Sequence, residues 1–191
     1  MYARILRPAV SLLVLMTLLL GIGYPMLITG ISALVFPHQS AGSLVSREGH
    51  VVGSSLIGQS FSDPKYFWGR PSATTPQPYN GTASGGSNLG PLNPALIDAV
   101  KSNARALRAA DPGNTQPIPV DLVTASASGL DPEVSVAGAR FQAARVARAR
   151  HLEPARVEAL IAAHERGALL GFIGEPRVNV LELNLALDTL Q

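Results

Sequence analysis

The sequence predicts an α+β protein, built as a single amino-terminal transmembrane helix followed by one extracytoplasmic α+β domain with a few short strands and about four helices. Three features predict it: an uncharged apolar run near the amino terminus, a hairpin-like pattern soon after it, and four later stretches with helical periodicity and recognisable caps. With 191 residues, 47% hydrophobic and 15% charged, the chain is long enough for one compact domain plus an appendage and short for two. The expected division is 1–37 for the cytoplasmic amino terminus and span, and 38–191 for the outward domain.

Residues 8–36 include no charged side chain over 29 positions. As a helix that run measures roughly 43 Å, more than the ~30 Å hydrocarbon layer needs. A cleaved signal peptide has an apolar core of only about 7–15 residues, so the length favours an anchor that stays. Arg4 and Arg7 precede the run and the next charged residue is Arg47, a bias that keeps the amino terminus in the cytoplasm and the rest outside. Within the run, Pro25 cannot donate to the carbonyl of Gly21, while Gly21 and Gly23 lack side chains, so the backbone can bend or a neighbouring helix approach closely. Gly21, Gly23 and Pro25 are thus candidates for packing on a partner helix, the plainer reading being an ordinary anchor with a tolerated proline.

Residues 43–61 set Leu44 and Val45 before Glu48-Gly49 and Val51, Val52, Leu56 and Ile57 after it, the pattern of a hairpin. The stretch 62–94 is crowded with prolines and glycines that preclude long regular elements. It also contains Tyr66, Phe67, Trp68 and Tyr79, whose apolar surface predicts an ordered loop rather than a linker. Asn93 as cap and Pro94 at the first position open a helix over about 94–109, with Leu96, Val100 and Leu107 near one face and Asp111-Pro112-Gly113 ending it. PVDLV (119–123) reads as a short strand, and TASASG as a turn that uses the Ser126 and Ser128 hydroxyls. Ser135 caps a second helix of closely packed alanines, whose Arg140, Arg145, Arg148 and Arg150 read as a solvated face, with an acidic-partner surface as the alternative. Val157, Leu160, Ile161 and His164 recur at helical spacing in a third, with Gly167 expected as its left-handed terminator and His164 as a satisfied histidine near its last carbonyls. The fourth begins at Asn179, with Glu182 placed to reach back in a capping box.

Charge and motif exclude several chemistries. Without Arg4 and Arg7 the balance is 15 − 2 = 13 basic against 13 acidic residues, so the rest is neutral and lacks the cationic surplus that nucleic-acid binding requires. No cysteine is present, which removes disulfides, thiolate nucleophiles and thiolate-bound metal. His38, His50, His151 and His164 have no histidine or carboxylate at i+4, and no serine sits in a nucleophile elbow. Asn80-Gly81-Thr82 is an Asn-Gly turn before it is a glycosylation acceptor. SGGSNLGP (84–91) lacks the lysine of a phosphate loop, so its residue types favour a turn, although a nest of glycine N–H groups can bind an anion unaided. No metal site and no catalytic constellation is expected, and the residues describe a membrane-anchored domain that serves a larger assembly.

Five ordered strings add a resemblance that covers nearly the whole chain: GSSLIGQSF (53–61), YFWGRPSAT (66–74), SGGSNLGP (84–91), PVDLVTASASGLDP (119–132) and GEPRVNVLELNLAL (174–187). Together with the span they resemble the KdpC family, the C subunits of Kdp potassium-transporting ATPases. The resemblance implies a non-enzymatic accessory subunit in the bacterial inner membrane. Its implied partners are a potassium-channel-like subunit, a P-type ATPase subunit and a small single-span subunit, in a complex that takes up potassium at the expense of ATP. It also implies a proposed role as a catalytic chaperone that raises the ATP affinity of the pump subunit, which would place nucleotide contacts at Ser84, Gly85, Gly86, Ser87 and Asn88, with Gln59 as a further candidate. The orientation set by Arg4 and Arg7 opposes that role, because it puts residues 84–88 where ATP is not supplied. Glu133, Val134 and Val136 depart from the family's histidine, isoleucine and helix-starting proline, which leaves Ser135 as cap and affects only where the helix starts.

Overall fold

The computed structural model describes residues 2–190, with side chains from Arg4 onward. The chain divides into two compact units, one up to Leu44 and one from Val45.

In the first unit, α1 (Tyr2–Met16) passes into a π-helical stretch, Thr17–Gly23, and then α2 (Tyr24–Val35). Pro25 at the start of α2 explains the change of winding. Its missing N–H and its ring disturb the preceding turn, and the backbone answers with wider hydrogen bonding, Tyr24 N–H reaching the carbonyl of Leu19 five residues back. Residues Arg4–Val35 form a helical run long and apolar enough to cross a membrane, and none of its most apolar window is buried. The helix breaks at Phe36, and Pro37 opens the single turn α3 (Pro37–Ser40).

The second unit is α+β. Strands β1 (Leu44–Arg47), which begins on the last residue of the first unit, and β2 (His50–Ser54) pair through a two-residue turn in which Glu48 and Gly49 both have positive φ (53° and 80°), the backbone that suits tight hairpins. After the loop come α4 (Pro94–Ala110), the strand β3 (Glu133–Ser135), α5 (Val136–Arg150), α6 (Pro154–Ala163), β4 (Glu165–Arg166), β5 (Arg177–Asn179) and α7 (Val180–Leu187). β5 lies between β3 and β4, antiparallel to both, with Val178 opposite Val134 and Glu165. Three helices begin on the expected caps: the Asn93 side chain accepts from Ala95 N (2.9 Å), Ser135 from Gly138 N (2.9 Å) and Asn179 from Glu182 N (3.1 Å).

The core gathers between α5, α6, α7 and the three-stranded sheet, around Val146, Val157, Ile161, Val178, Leu183 and Leu187, with Phe67 of the long loop buried among them. α5 is covered on most sides, and its small residues Gly138, Ala139, Ala143 and Ala147 allow that close packing.

Several sequence expectations are corrected. Residues 119–123 are not a strand: Val120–Leu122 forms a 3-10 turn, and the Asp121 carboxylate accepts from Ser135 N (2.7 Å), tying this turn to the start of α5. α6 stops at Ala163 and not at Gly167, because the His164 ring contacts the Leu160 carbonyl (Nδ1 2.9 Å) and Glu165–Arg166 pairs with β5. Glu182 does not reach back to its cap; it takes Arg166 through both carboxylate oxygens, at 2.8 and 2.6 Å.

Candidate functional site

The second unit is organised around its long loop, which α5 and α7 hold by polar side chains projecting from helices otherwise built to pack. Buried Asn184 on α7 binds the backbone of Phe67 twice, accepting from its N–H (2.8 Å) and donating to its carbonyl (2.9 Å). Buried Gln142 on α5 does the same one residue on, accepting from Trp68 N (2.8 Å) and donating to Trp68 O (3.1 Å). A buried N–H or C=O left without a partner is costly. These two amides therefore let an irregular segment lie inside a core as a strand would.

Arg145, only 4% exposed, donates to the carbonyls of Pro64 and Tyr66 and to Gln142 Oε1, with its guanidinium 4.5 Å from the Trp68 ring centroid. Burial lowers this guanidinium to about 10, so it remains a cation at neutral pH. Arg150 lies 4.8 Å from the Tyr66 ring centroid and bonds Asp188, which also accepts from Arg47 (2.8 Å) and Tyr66 Oη (3.2 Å). Burial acts to raise the Asp188 carboxyl, yet the hydrogen bonds from Arg150 and Arg47 outweigh it and hold the group below its ordinary value. Arg148 pairs with buried Asp111, and Arg140 lies 3.7 Å from Glu158. The expectation of a solvated arginine face thus fails for Arg145 and Arg150, which face the loop's carbonyls and aromatic rings.

Beyond Trp68 the loop is stitched to the 124–131 segment. Arg70 pairs with Asp131 (3.0 Å), Ser72 Oγ donates to Gly129 O (2.7 Å), and Tyr79 N–H donates to Ser72 Oγ (2.9 Å). Burial, with the Asp131 carboxylate adding to it, pushes the Tyr79 phenol up to about 12. Ser126 and Ser128 act as turn hydroxyls, accepting from Gly129 N and Leu130 N. Asn80 Oδ1 accepts from Thr82 N, so the Asn-Gly-Thr triplet is a turn.

The glycine- and serine-rich residues sit against this same segment. Gly85 N–H and Ser84 Oγ both donate to Ser128 O, at 2.9 and 3.0 Å. Gly86 faces Ala127 so closely that a Cβ there would lie 2.8 Å from the Ala127 carbonyl oxygen, whereas a Cβ on Gly85 would meet nothing within 4 Å. Asn88 takes a left-handed φ of 51°. Ser87 borders a cavity of about 250 Å³ with Leu89, Leu96, Ala99 and Asn103. Gln59 is engaged elsewhere: its amide donates to Val52 O (2.7 Å), in space that a side chain on Gly53 would fill. Gln59 also borders a cavity that shares Pro71, Ser72 and Asn103 with the one beside Ser87, but none of residues 84–88 lines it. In the span, a Cβ on Gly21 or Gly23 would meet only ordinary contacts within its own helix, at 3.7 and 3.5 Å, so no contact among the described residues of that unit requires glycine there.

Comparison with known proteins finds relatives over nearly the full length of the chain. The family model described as "KdpC: K+-transporting ATPase, c chain" matches residues 6–189. The chain belongs to the KdpC family. It is 65% identical over 185 residues to the potassium-transporting ATPase KdpC subunit of Variovorax paradoxus (strain S110), covering 97% of this chain and 96% of that one. The KdpC subunit of Methylibium petroleiphilum is 65% identical over 184 residues (96% of each chain), and that of Dechloromonas aromatica 62% over 185 residues (97% of each). As a KdpC-family member the chain is a subunit of a potassium-transporting ATPase.

Of the polar residues that build the KdpC domain, Gln142, Asn184 and Asp188 carried no expectation from the sequence, and Arg145 was expected on a solvated face. One signal was present: Asn184 interrupts the apolar face of VLELNLAL, where a polar residue needs a buried partner.

Proposed function

We propose that this chain is the accessory, non-catalytic subunit of a high-affinity, ATP-driven potassium-uptake complex, needed for the assembly and stability of that complex. It is anchored in the cell inner membrane by its amino-terminal helix, with the domain from about residue 38 outside, over the potassium-channel-like subunit. The observation that carries this reading is a pairing within one chain. An apolar helix, Arg4–Val35, with none of its most apolar window buried, is joined to a domain that spends its buried polar side chains on fixing its own loop. Such a domain offers shape rather than chemistry. The orientation rests on Arg4 and Arg7, the cations on the amino-terminal side of the span.

A second reading, a catalytic chaperone that raises the ATP affinity of the P-type subunit through residues 84–88, has one observation in its favour, the cavity beside Ser87. That cavity has no cationic side chain among its lining residues, and Gly85 and Ser84 are already bonded to Ser128. A reporter enzyme that folds only outside the cytoplasm, fused after Gln191, separates the two. Activity supports the outward assembly subunit. Inactivity, with a cytoplasmic reporter active in its place, overturns the orientation and restores the nucleotide reading.

A further inference from the structure

Between Gly167 and Gly174 the chain leaves β4, turns and returns to β5 without one charged residue. The turn exposes large apolar side chains: Leu169 is 64% exposed, Leu170 76%, Phe172 77% and Ile173 48%. Four such residues within five positions form a patch on the order of 400–500 Å², the size at which exposed apolar surface is generally functional. The tip is also preformed. Leu169 and Ile173 exchange both backbone hydrogen bonds at 2.9 Å, Gly171 N–H donates to Ala168 O (3.0 Å), and Leu170 and Gly171 take left-handed φ values of 55° and 81°. A tip that has satisfied most of its own backbone loses little on entering a dry environment.

The charges at its base decide which environment. Arg166 is held by both oxygens of Glu182 and lies 3.6 Å from Glu133, while Arg177 pairs with Glu133 at 2.6 Å. With Glu165, which lies 4.0 Å from Arg140, and exposed Glu175, the base holds three cations against four carboxylates. No cation is left over to seek anionic lipid headgroups, as interfacial membrane binders do. We propose that residues 169–173 form an apolar plug that inserts into an uncharged, apolar pocket on another protein subunit of the same complex. The inference rests on the reading of the chain as an assembly subunit and deepens it by naming a contact. The patch is smaller than the roughly 800 Å² per partner of a free-standing interface, so the plug is one anchor of a contact whose partners share a membrane and a high effective concentration.

The test uses the full chain in the assembled complex. With p-benzoylphenylalanine replacing Phe172, illumination of native membranes yields an adduct with another subunit of the complex; adducts with lipid only, with a second copy only, or none overturn the proposal. Separately, a tagged chain carrying Leu170→Glu and Phe172→Glu recovers the other subunits roughly tenfold less well, as loss of a central apolar anchor does, with an unchanged unfolding temperature. Undiminished recovery overturns the plug while leaving the assembly reading intact, whereas failure of the wild-type chain to recover them overturns the assembly reading itself. Should the glutamates lower the unfolding temperature, Leu170→Ser with Phe172→Ser replaces them, and the same two recoveries decide.

Discussion

Two segments without regular structure, both rich in glycine, behave in opposite ways. The loop from Tyr66 to Asn88 carries aromatic residues inward and meets buried amides and guanidinium groups sent to receive it. The tip at 167–174 satisfies its own backbone and turns leucine and phenylalanine outward, where no described residue of its own domain covers them. Neither contains a helix or a strand of its own. What separates them is whether the rest of the chain supplies partners: the long loop is finished by its own domain, the tip is not.

The comparison breaks most visibly at Asn184. Asn184→Leu keeps the branched shape of the side chain but leaves Phe67 N–H and C=O buried without partners. Two orphaned groups cost about 3 kcal/mol together, which lowers the unfolding temperature of the full chain in detergent by roughly 10 °C for a domain of this size. Differential scanning calorimetry reads it, and an unchanged midpoint would mean that the loop is not held by α7. At the tip, by contrast, polar replacement leaves the midpoint unmoved.

Gly86→Ala is the next largest. Its Cβ would stand 2.8 Å from the oxygen and 3.2 Å from the Cα of Ala127, backbone atoms that cannot swing aside. Shifting one loop off the other costs about 2 kcal/mol, measured as a lower denaturation midpoint with an unchanged slope.

Asp188 supplies a pH-dependent term. Its carboxyl titrates below the ordinary value in the folded chain, with the bonds from Arg150 and Arg47 outweighing burial. The stabilisation is therefore complete above the unfolded-state value near ~3.9 and is lost as pH falls through the lower folded-state value. Wild type and Asp188→Asn should differ by about 1 kcal/mol at neutral pH and converge in acid. A gap that persists in acid would assign the effect to packing rather than charge.

How much of this was legible in the sequence follows from the range of each interaction. Caps at Asn93, Ser135 and Asn179 and the Glu48-Gly49 hairpin act within a few residues, so local chemistry reveals them. The strand expected at 119–123 failed because Val, Leu and Val at short spacing fit a strand or a buried turn equally, and the Asp121 bond to Ser135, fourteen residues away, decides for the turn. Gly167 failed as a helix terminator because pairing of Glu165–Arg166 with β5, eleven residues later, ends the helix first. Arg145 reads as a surface cation until the carbonyls of Pro64 and Tyr66, some eighty residues earlier, are brought beneath it. For residues 84–88 the sequence suggested a turn, whereas the chain there runs without one against Ser128 and Ala127, and the turn before the helix falls at 91–92.

The smallest effect is the sharpest test of that last point. Gly85 is adjacent to Gly86, yet its φ is not left-handed and a Cβ there meets open space, so Gly85→Ala should change stability by no more than about 0.5 kcal/mol. A nucleotide cradle would be sensitive at the same position, since a methyl group facing the bound phosphate obstructs the close approach that glycine permits. Potassium-dependent ATPase activity of the assembled complex, measured against ATP concentration, therefore separates the two uses of one residue. If residues 84–88 only shape the domain, the Gly85→Ala complex keeps the wild-type KM for ATP while Gly86→Ala loses stability. A raised KM in Gly85→Ala with an unchanged unfolding midpoint would show that the open side of the loop, rather than the side packed on Ala127, is where its function lies.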